Sequence, residues 1–167
     1  IWRNNPLSIV EQYARWADQH RNNRAVVIFD TMWHSTELMA RAFGEGLAAA
    51  GAVPKLMPLS GVHRSDVATE LLDAGALVIG APTINNQMFP TLADCLTYIK
   101  GLKPQGLVGA AFGSYGWGGE STKHLQAALD EMNVENACEP VRVKYAPTNE
   151  GLAECRRAGQ AVGQRIA

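Results

Sequence analysis

The chain has 167 residues and a mass of 18.0 kDa, which suits one domain with its own hydrophobic core. Hydrophobic residues make up 47% and charged residues 19%, a composition that excludes a disordered chain. The formal net charge of −1 argues against general nucleic-acid binding, and no apolar run reaches the roughly 20 residues of a membrane helix. The N-terminus has neither a signal-peptide pattern nor an initiator Met, so we expect a piece of a longer protein.

Helices and strands alternate along the chain. Helices are predicted where apolar residues recur at helical spacing, and buried strands where apolar runs are short, continuous and β-branched. In chain order the pattern predicts a helix at 6–20, a strand at 25–29, a helix at 35–50, a strand at 53–59, a helix at 66–72, a strand at 76–81, a helix at 91–100, a strand at 107–112, a helix at 120–132, a strand at 141–145 and a helix from 149 to the end.

This alternation predicts an α/β fold, a three-layer sandwich with helices on both faces of a five-stranded parallel sheet. The rhythm suits the strand order 2-1-3-4-5 of flavodoxin-like folds. The strand at 53–59 contains prolines and the strand at 141–145 alternates, which are features of edge strands. These are the second and fifth strands, which that order places at the edges.

The cysteine and histidine residues form no metal-ligand cluster. Cys95, Cys138 and Cys155 are far apart, without a CxxC pair, and the four histidines are scattered. We therefore expect free thiols in a reducing, cytoplasmic compartment and no metal site within this chain.

Ligands of such sheets bind beyond the carboxyl ends of the strands, where the strand order reverses. The loop after the first strand reads Asp30-Thr31-Met32-Trp33-His34-Ser35-Thr36 and opens a helix. Three hydroxyls and a helix N-terminus favour an anion such as phosphate, which hydrogen bonds would hold because the loop has no Lys or Arg. The alternative interpretation is simple helix capping.

Two further loops follow the third and fourth strands. The first, at 80–90, contains Pro82-Thr83-Ile84-Asn85-Asn86, whose free polar groups suit a heterocycle, although an ordinary turn is the alternative. The second, at 113–119, mounts Tyr115 and Trp117 among four glycines. Glycine permits close approach to a flat ligand and aromatic rings provide a stacking surface.

The three loops together indicate a site for a phosphate attached to a planar aromatic group. Trp33 and Trp117 are the candidate walls for the ring, with an ordinary core or surface aromatic as the alternative for each. The glycines follow the wrong strand and have the wrong spacing for a dinucleotide-binding fingerprint.

At these loops the sequence resembles the flavodoxin-like domain of the flavodiiron proteins, also called A-type flavoproteins. Its first loop has the form Asp-Thr-Met-Trp-x-Ser-Thr, and segments 80–86 and 114–119 are similar to the two flavin-ring loops of that family. The opening Ile1-Trp2-Arg3 is similar to the stretch that leaves the family's metallo-β-lactamase-like domain. His34 is a departure from short-chain flavodoxins, which have Gly there.

The resemblance implies two parts: a linker helix at 1–22, following a metallo-β-lactamase-like domain outside this sequence, and a flavodoxin-like FMN domain at 23–167. It implies non-covalent FMN and electron relay from a rubredoxin or a flavin/NADH-linked reductase to a diiron centre. That centre, in the other domain, reduces oxygen to water or nitric oxide to nitrous oxide. Subunits of the family pair head to tail, as dimers or tetramers.

The resemblance also implies a role for each loop. Phosphate is expected at the hydroxyls of Thr31, Ser35 and Thr36 and at the backbone N–H groups of Met32, Trp33 and His34. The ring edge or ribityl chain is expected at Thr83, Asn85 and Asn86, in the loop shared with Pro82 and Ile84. The other side of the ring is expected at Tyr115, Gly116, Trp117 and Gly118, flanked by Ser114 and Gly119. No residue is expected to act as a catalytic acid or base.

Three other classes of protein share some of these sequence features. A receiver domain shares the strand order but needs an acidic cluster and an acceptor Asp after the third strand, where Pro82-Thr83 stands instead. A free-standing flavodoxin shuttle is closer, although the Trp-rich first loop, the leading helix and the mild charge weigh against it. A flavin-dependent quinone reductase is a third alternative, without an added substrate pocket or nicotinamide motif.

Overall fold

The computed structural model describes residues 3–18 and 21–167. Ile1 and Trp2, which contribute to the resemblance at the N-terminus, lie outside the described residues, as does His20, where the first helix is predicted to end. The elements are α1 Pro6–Asp18, β1 Arg24–Phe29, α2 Ser35–Ala49, β2 Val53–Pro58, α3 Arg64–Leu71, β3 Ala76–Gly80, α4 Pro90–Leu102, β4 Val108–Tyr115, α5 Glu120–Glu131, β5 Glu135–Asn136, β6 Val141–Lys144 and α6 Asn149–Gly163.

The strands form one parallel sheet in the order β2-β1-β3-β4, and the far side of β4 is shared by two short strands. β5 pairs with the start of β4 and β6 with its end. The predicted fifth strand is β6, so the predicted α/β class and strand order are confirmed. The two-residue β5 was not predicted, because it is too short to carry a hydrophobic period.

The fourth strand is longer than the sequence pattern predicts. Gly113, Ser114 and Tyr115, predicted to begin a loop, continue β4 and pair with Arg142, Val143 and Lys144 of β6. The prediction was wrong at these residues because Gly-Ser-Tyr-Gly has the composition of a loop, whereas pairing with a distant strand imposes the extended conformation.

Two hydrophobic clusters cover the two faces of the sheet. One packs α2 and α6 against it, and the other packs α3, α4 and α5. β3 is buried along its whole length, whereas in β6 only Val141 and Val143 face the core. The molecule is therefore the predicted three-layer sandwich, with an exposed alternating edge strand.

Helices α2 and α6 approach each other closely through glycine. A Cβ on Gly46 would lie 2.1 Å from the carbonyl oxygen of Arg156, and one on Gly159 would lie 2.3 Å from that of Phe43. Only hydrogen fits at both positions, so the two helices are in direct backbone contact.

Helix α1 stands outside the layers, with no buried residue. Its Trp16 donates a hydrogen bond from Nε1 to Asp73, at 3.0 Å. No helix among the described residues is both long and apolar enough to cross a membrane.

The three cysteines are free, as predicted. Burial raises the pKa of Cys95 to about 11 and that of Cys155 to about 12, so both thiols are protonated at neutral pH.

Candidate cofactor-binding site

A cavity of about 570 Å³ opens at the carboxyl ends of β1, β3 and β4. This volume lies in the range of ordinary small-molecule sites. All three loops singled out in the sequence contribute to its wall. The lining residues are Met32, Trp33, Ser35, Pro82, Thr83, Asn85, Asn86, Ser114, Tyr115, Gly116, Trp117, Gly118, Tyr145 and Ala146.

The loop after β1 is anchored by a buried carboxylate. One oxygen of Asp30 accepts a hydrogen bond from the Thr31 backbone N–H at 2.7 Å, and the other accepts from the Thr91 hydroxyl at 2.6 Å. Asp30 is 5% exposed. Because Thr91 lies in the first turn of α4, this carboxylate ties the loop after β1 to the helix that follows β3.

His34, the departure from the glycine of short-chain flavodoxins, adopts the conformation that glycine favours. Its φ of 62° lies in the left-handed region, and it is the N-cap of α2. Its Nδ1 lies 2.9 Å from one carboxylate oxygen of Glu37, and the other oxygen accepts a hydrogen bond from Arg41 at 2.7 Å. These two hydrogen bonds lower the pKa of Glu37, and the one with His34 has the larger effect.

The start of α2 offers donors for an anion. The first N–H groups of a helix have no partner within the helix, and the positive end of the helix dipole adds to their attraction for negative charge. The Thr31 hydroxyl is buried and has no hydrogen-bond partner, and Ser35 lines the cavity. An unpaired buried hydroxyl is costly unless a ligand satisfies it.

Thr36 occupies a different environment from Ser35. Its side chain is fully buried, and its hydroxyl oxygen lies 3.0 Å from that of Ser114. This contact joins α2 to β4 beneath the cavity, so the hydroxyl predicted to face an anion is instead paired within the protein.

The loop after β3 is a tight turn. Ile84 and Gln87 exchange two backbone hydrogen bonds, at 3.0 and 2.8 Å, across Asn85 and Asn86. Both asparagines have positive φ, 48° and 58°, as a type I′ turn requires. The turn places both asparagines in the cavity wall, whereas Ile84 is not part of the lining.

Thr83 fixes this loop to its neighbours. Its backbone N–H donates to the Ser114 carbonyl at 2.9 Å, and its hydroxyl donates to the hydroxyl of Ser121 at 3.0 Å. Ser121 in turn donates to the carbonyl of Ala81 at 3.1 Å. The wall of the cavity at Thr83 is therefore held by α5 as well as by β4.

Two tryptophan rings, one on the loop after β4 and one on the loop after β1, are exposed to solvent. Trp117 is 96% exposed, and Trp33, on the loop after β1, is 83% exposed. Both line the mouth of the cavity. Two exposed tryptophans at one opening indicate a surface for a ligand or a partner. A Cβ on Gly118 would lie 2.1 Å from a carboxylate oxygen of Glu120, so a side chain at this position would displace the Glu120 carboxylate.

Sequence reasoning missed Tyr145 and Ala146, which complete the lining. Tyr145 directly follows the edge strand β6 and has a positive φ of 62°, and its N–H donates to the Tyr115 carbonyl at 2.8 Å. An aromatic residue at the carboxyl end of a predicted strand, two residues before Pro147, was the signal that could have identified Tyr145. Of the predicted site residues, Thr31, His34, Thr36, Ile84 and Gly119 lie outside the lining.

Buried polar side chains concentrate around the cavity, at the carboxyl ends of the strands. Among the described residues they are Asp30, Thr36, Ser114, Ser121 and Thr122, all on elements that border the cavity. The described residues contain no group of three or more His, Cys, Asp or Glu that could hold a metal ion. The cavity and its surroundings are thus built from hydroxyl, amide and aromatic groups, which suit a polar, planar organic ligand.

A doubly wound parallel sheet with a hydroxyl-rich loop before α2 and an aromatic cavity at the switch in strand order defines a flavodoxin-like α/β domain. The family model described as Flavodoxin matches residues 27–159, so the chain belongs to the flavodoxin family. The predicted membership is confirmed.

Among its relatives are proteins of the flavodiiron type. The chain is 45% identical to the nitric oxide reductase of Moorella thermoacetica, over 100% of this chain and 42% of that protein. It superposes on rubredoxin oxygen:oxidoreductase of Desulfovibrio gigas with a TM-score of 0.92 and 41% identity, over 94% of this chain and 39% of that one. The flavodiiron protein of Giardia intestinalis gives a TM-score of 0.89 and 29% identity, over 94% and 39%.

The chain therefore spans about two fifths of the length of these relatives. The predicted resemblance to the flavodoxin-like domain of a flavodiiron protein is confirmed by these matches.

Proposed function

We propose that the cavity binds FMN and that the chain is an electron-transfer domain. The observation that carries the proposal is the combination, at the carboxyl ends of the strands, of an unpaired Thr31 hydroxyl in the loop that leads into α2 and a cavity wall of aromatic and amide side chains. The hydroxyl and the helix N–H groups fit a phosphate, and the aromatic wall fits a flat ring.

In this proposal, three groups of residues contact different parts of FMN. Thr31, Ser35 and the backbone at 32–37 would hold the phosphate. Asn85, Asn86 and the backbone of Thr83 would contact the ring edge or ribityl chain, while Trp33, Tyr115, Trp117 and Tyr145 would enclose the ring and exclude water. Bound FMN supplies one- and two-electron transfer, and the protein contributes binding, orientation and electrostatics.

The electron acceptor in this proposal is a diiron centre in a metallo-β-lactamase-like domain of the parent protein, which reduces oxygen or nitric oxide. The electron donor is a rubredoxin or a flavin/NADH-linked reductase, and subunits associate head to tail. Support comes from the names of the relatives, a nitric oxide reductase and a rubredoxin oxygen:oxidoreductase, and from the two fifths of their length that this chain spans. The segment 1–22, with its exposed helix α1, is the linker in this scheme.

Titration of the cofactor-free chain with FMN tests the binding step. We expect stoichiometric binding with quenched flavin fluorescence, because the aromatic wall contacts the ring. Riboflavin, which lacks the phosphate, serves as the matched ligand and should bind more weakly. Equal affinity for FMN and riboflavin would contradict the assignment of the loop after β1, and absence of binding to either would contradict the proposal as a whole.

Iron content of the full-length parent separates the relay from the free-standing flavodoxin shuttle. The relay predicts two iron atoms per flavin, and transfer of electrons from reduced flavin to oxygen or nitric oxide in the parent but not in the isolated chain. If the natural protein were no longer than this chain and contained no iron, the result would instead support the free-standing shuttle.

A further inference from the structure

The cavity is lined by uncharged residues, yet two cations contact its tyrosines from outside. The guanidinium carbon of Arg142 lies 5.3 Å from the ring centroid of Tyr115, and Nζ of Lys144 lies 5.2 Å from that of Tyr145. Both tyrosines belong to the lining and both cations do not. Each tyrosine ring therefore has a cationic side chain beside it, at a distance typical of a cation–π contact.

The alternation of β6 explains this arrangement. Val141 and Val143 face the core, so Arg142 and Lys144 both point outward, two residues apart on the same face. The Arg142 guanidinium also lies against the loop after β4, since a Cβ on Gly119 would lie 2.3 Å from its Nη2. The positions of the two charges thus follow from the edge strand that completes the sheet.

These charges are not neutralised by ion pairs. Within residues 3–18 and 21–167, neither Arg142 nor Lys144 forms a salt bridge. Two carboxylates border the site: Asp30, whose two oxygens accept hydrogen bonds from Thr31 and Thr91, and Glu120, whose carboxylate lies beside Gly118 of the lining. Glu120 is the first residue of α5, directly after the loop that carries Trp117, so its negative charge at the site opposes the effect of the two cations.

We propose that Arg142 and Lys144 raise the reduction potential of the bound flavin; this inference rests on the proposed function. Two-electron reduction of the flavin in mildly alkaline buffer takes two electrons from the reductant and one proton from solvent, so the cofactor gains one negative charge. A nearby cation stabilises that additional charge and has less effect on the oxidised form. The two cations therefore favour binding of reduced over oxidised FMN.

The test measures both redox forms in the FMN-loaded chain. Dithionite provides the electrons, reference dyes report the midpoint potential, and fluorescence gives the Kd of oxidised FMN; together these give the Kd of reduced FMN. Arg142→Gln and Lys144→Gln should each raise the ratio of reduced to oxidised Kd by roughly three- to ten-fold, as expected for one partly screened charge. The potential should fall accordingly.

Matched variants separate charge from packing. Arg142→Lys keeps the charge and should keep the wild-type ratio, and Glu120→Gln should change the ratio in the opposite direction. Lys103→Gln removes a cation at the other end of the sheet and should leave it unchanged. High salt should reduce the effect of Arg142→Gln and Lys144→Gln.

Equal weakening of both redox forms would show that the two side chains only pack against the tyrosines, and an unchanged ratio would likewise overturn the inference. If Arg142→Gln does not fold, Lys144→Gln alone decides between these results. Wild-type protein that binds no FMN would overturn the proposed function and this inference together, whereas tight FMN binding with unchanged ratios overturns only the inference.

Discussion

The hydroxyl oxygens of Thr36 and Ser114 lie 3.0 Å apart beneath the cavity, although the residues are 78 positions apart in the sequence. Thr36 is in the first turn of α2 and Ser114 is near the end of β4. This pair links the helix that offers donors to an anion with the strand that leads into the aromatic loop. Both side chains are buried, so each hydroxyl depends on the other for its hydrogen bond.

Thr36→Val should destabilise the fold by about 1–2 kcal/mol, because it leaves the buried Ser114 hydroxyl without its partner. Urea unfolding of the cofactor-free chain measures this. Thr97→Val is the control, since the Thr97 hydroxyl donates to the Ala93 carbonyl on an exposed helix surface, where water replaces it. The double variant Thr36→Val/Ser114→Ala should lose less stability than the sum of the two single variants. Strict additivity would show that the contact contributes nothing.

Ser35→Asp should abolish FMN binding, because it places a carboxylate where the phosphate is expected. Riboflavin binding should persist, since riboflavin has no phosphate to repel. Fluorescence titration with both ligands measures the difference. Ser65→Asp, which also adds a carboxylate to the first turn of a helix but away from the cavity, is the matched control. Wild-type FMN affinity in Ser35→Asp would exclude this helix end as the phosphate site.

Glu135 should contribute stability that depends on pH. Hydrogen bonds from Arg21, at 3.0 Å, and from Arg165, at 2.8 Å, lower its pKa below the ordinary value of 4.5. A carboxyl whose pKa is lower in the folded state stabilises the fold above its unfolded pKa, and this contribution is lost as the pH falls through the folded pKa. The contribution is below about 1 kcal/mol because the ion pairs are exposed.

Urea unfolding of wild type and Glu135→Gln across the acid range checks this expectation. The variant should be less stable at neutral pH, and the two proteins should converge as the pH falls from the ordinary carboxyl pKa through the lowered pKa of Glu135. Glu139→Gln, at an exposed position, should track the wild type throughout. A difference that grows on acidification would give the sign opposite to that expected from the lowered pKa.

Gly113→Ala should be destabilising by about 3 kcal/mol, whereas Gly101→Ala should be neutral or stabilising by up to about 1 kcal/mol. A Cβ on Gly113 would lie 2.3 Å from the backbone oxygen of Ala81, but one on Gly101, in the last turn of α4, meets nothing within 4 Å. Thermal unfolding of the two variants compares them directly. Similar Tm values would show that the close approach of β3 and β4 at the cavity is easily relaxed.

Local sequence patterns predicted the elements that depend on local physics. The β-branched runs of β1 and β3 are buried on both faces, and their composition alone identifies central strands. The end of β4 could not be predicted in this way, because Ser114 and Tyr115 are extended only through pairing with β6. That pairing joins residues about 30 positions apart, beyond the reach of any local pattern.

The same distinction applies to the cavity. The positions of Trp33, Asn85 and Trp117 follow from the rule that ligand loops lie at the carboxyl ends of strands, once the strands are known. The orientation of the Thr36 hydroxyl depends on a residue of another strand, and Tyr145 enters the lining through a positive φ that a tyrosine rarely adopts. Such features arise from tertiary contacts, so residue type and spacing do not reveal them.

The glycine contacts between α2 and α6 have a consequence for the far end of α2. Gly46 lies 11 residues after Ser35, roughly 16 Å along the helix axis, and its contact with the backbone of α6 prevents α2 from sliding or rotating. The first turn of α2 is therefore held in place before any ligand arrives. An arriving anion then meets donors that are already oriented, and little conformational entropy is lost in ordering them.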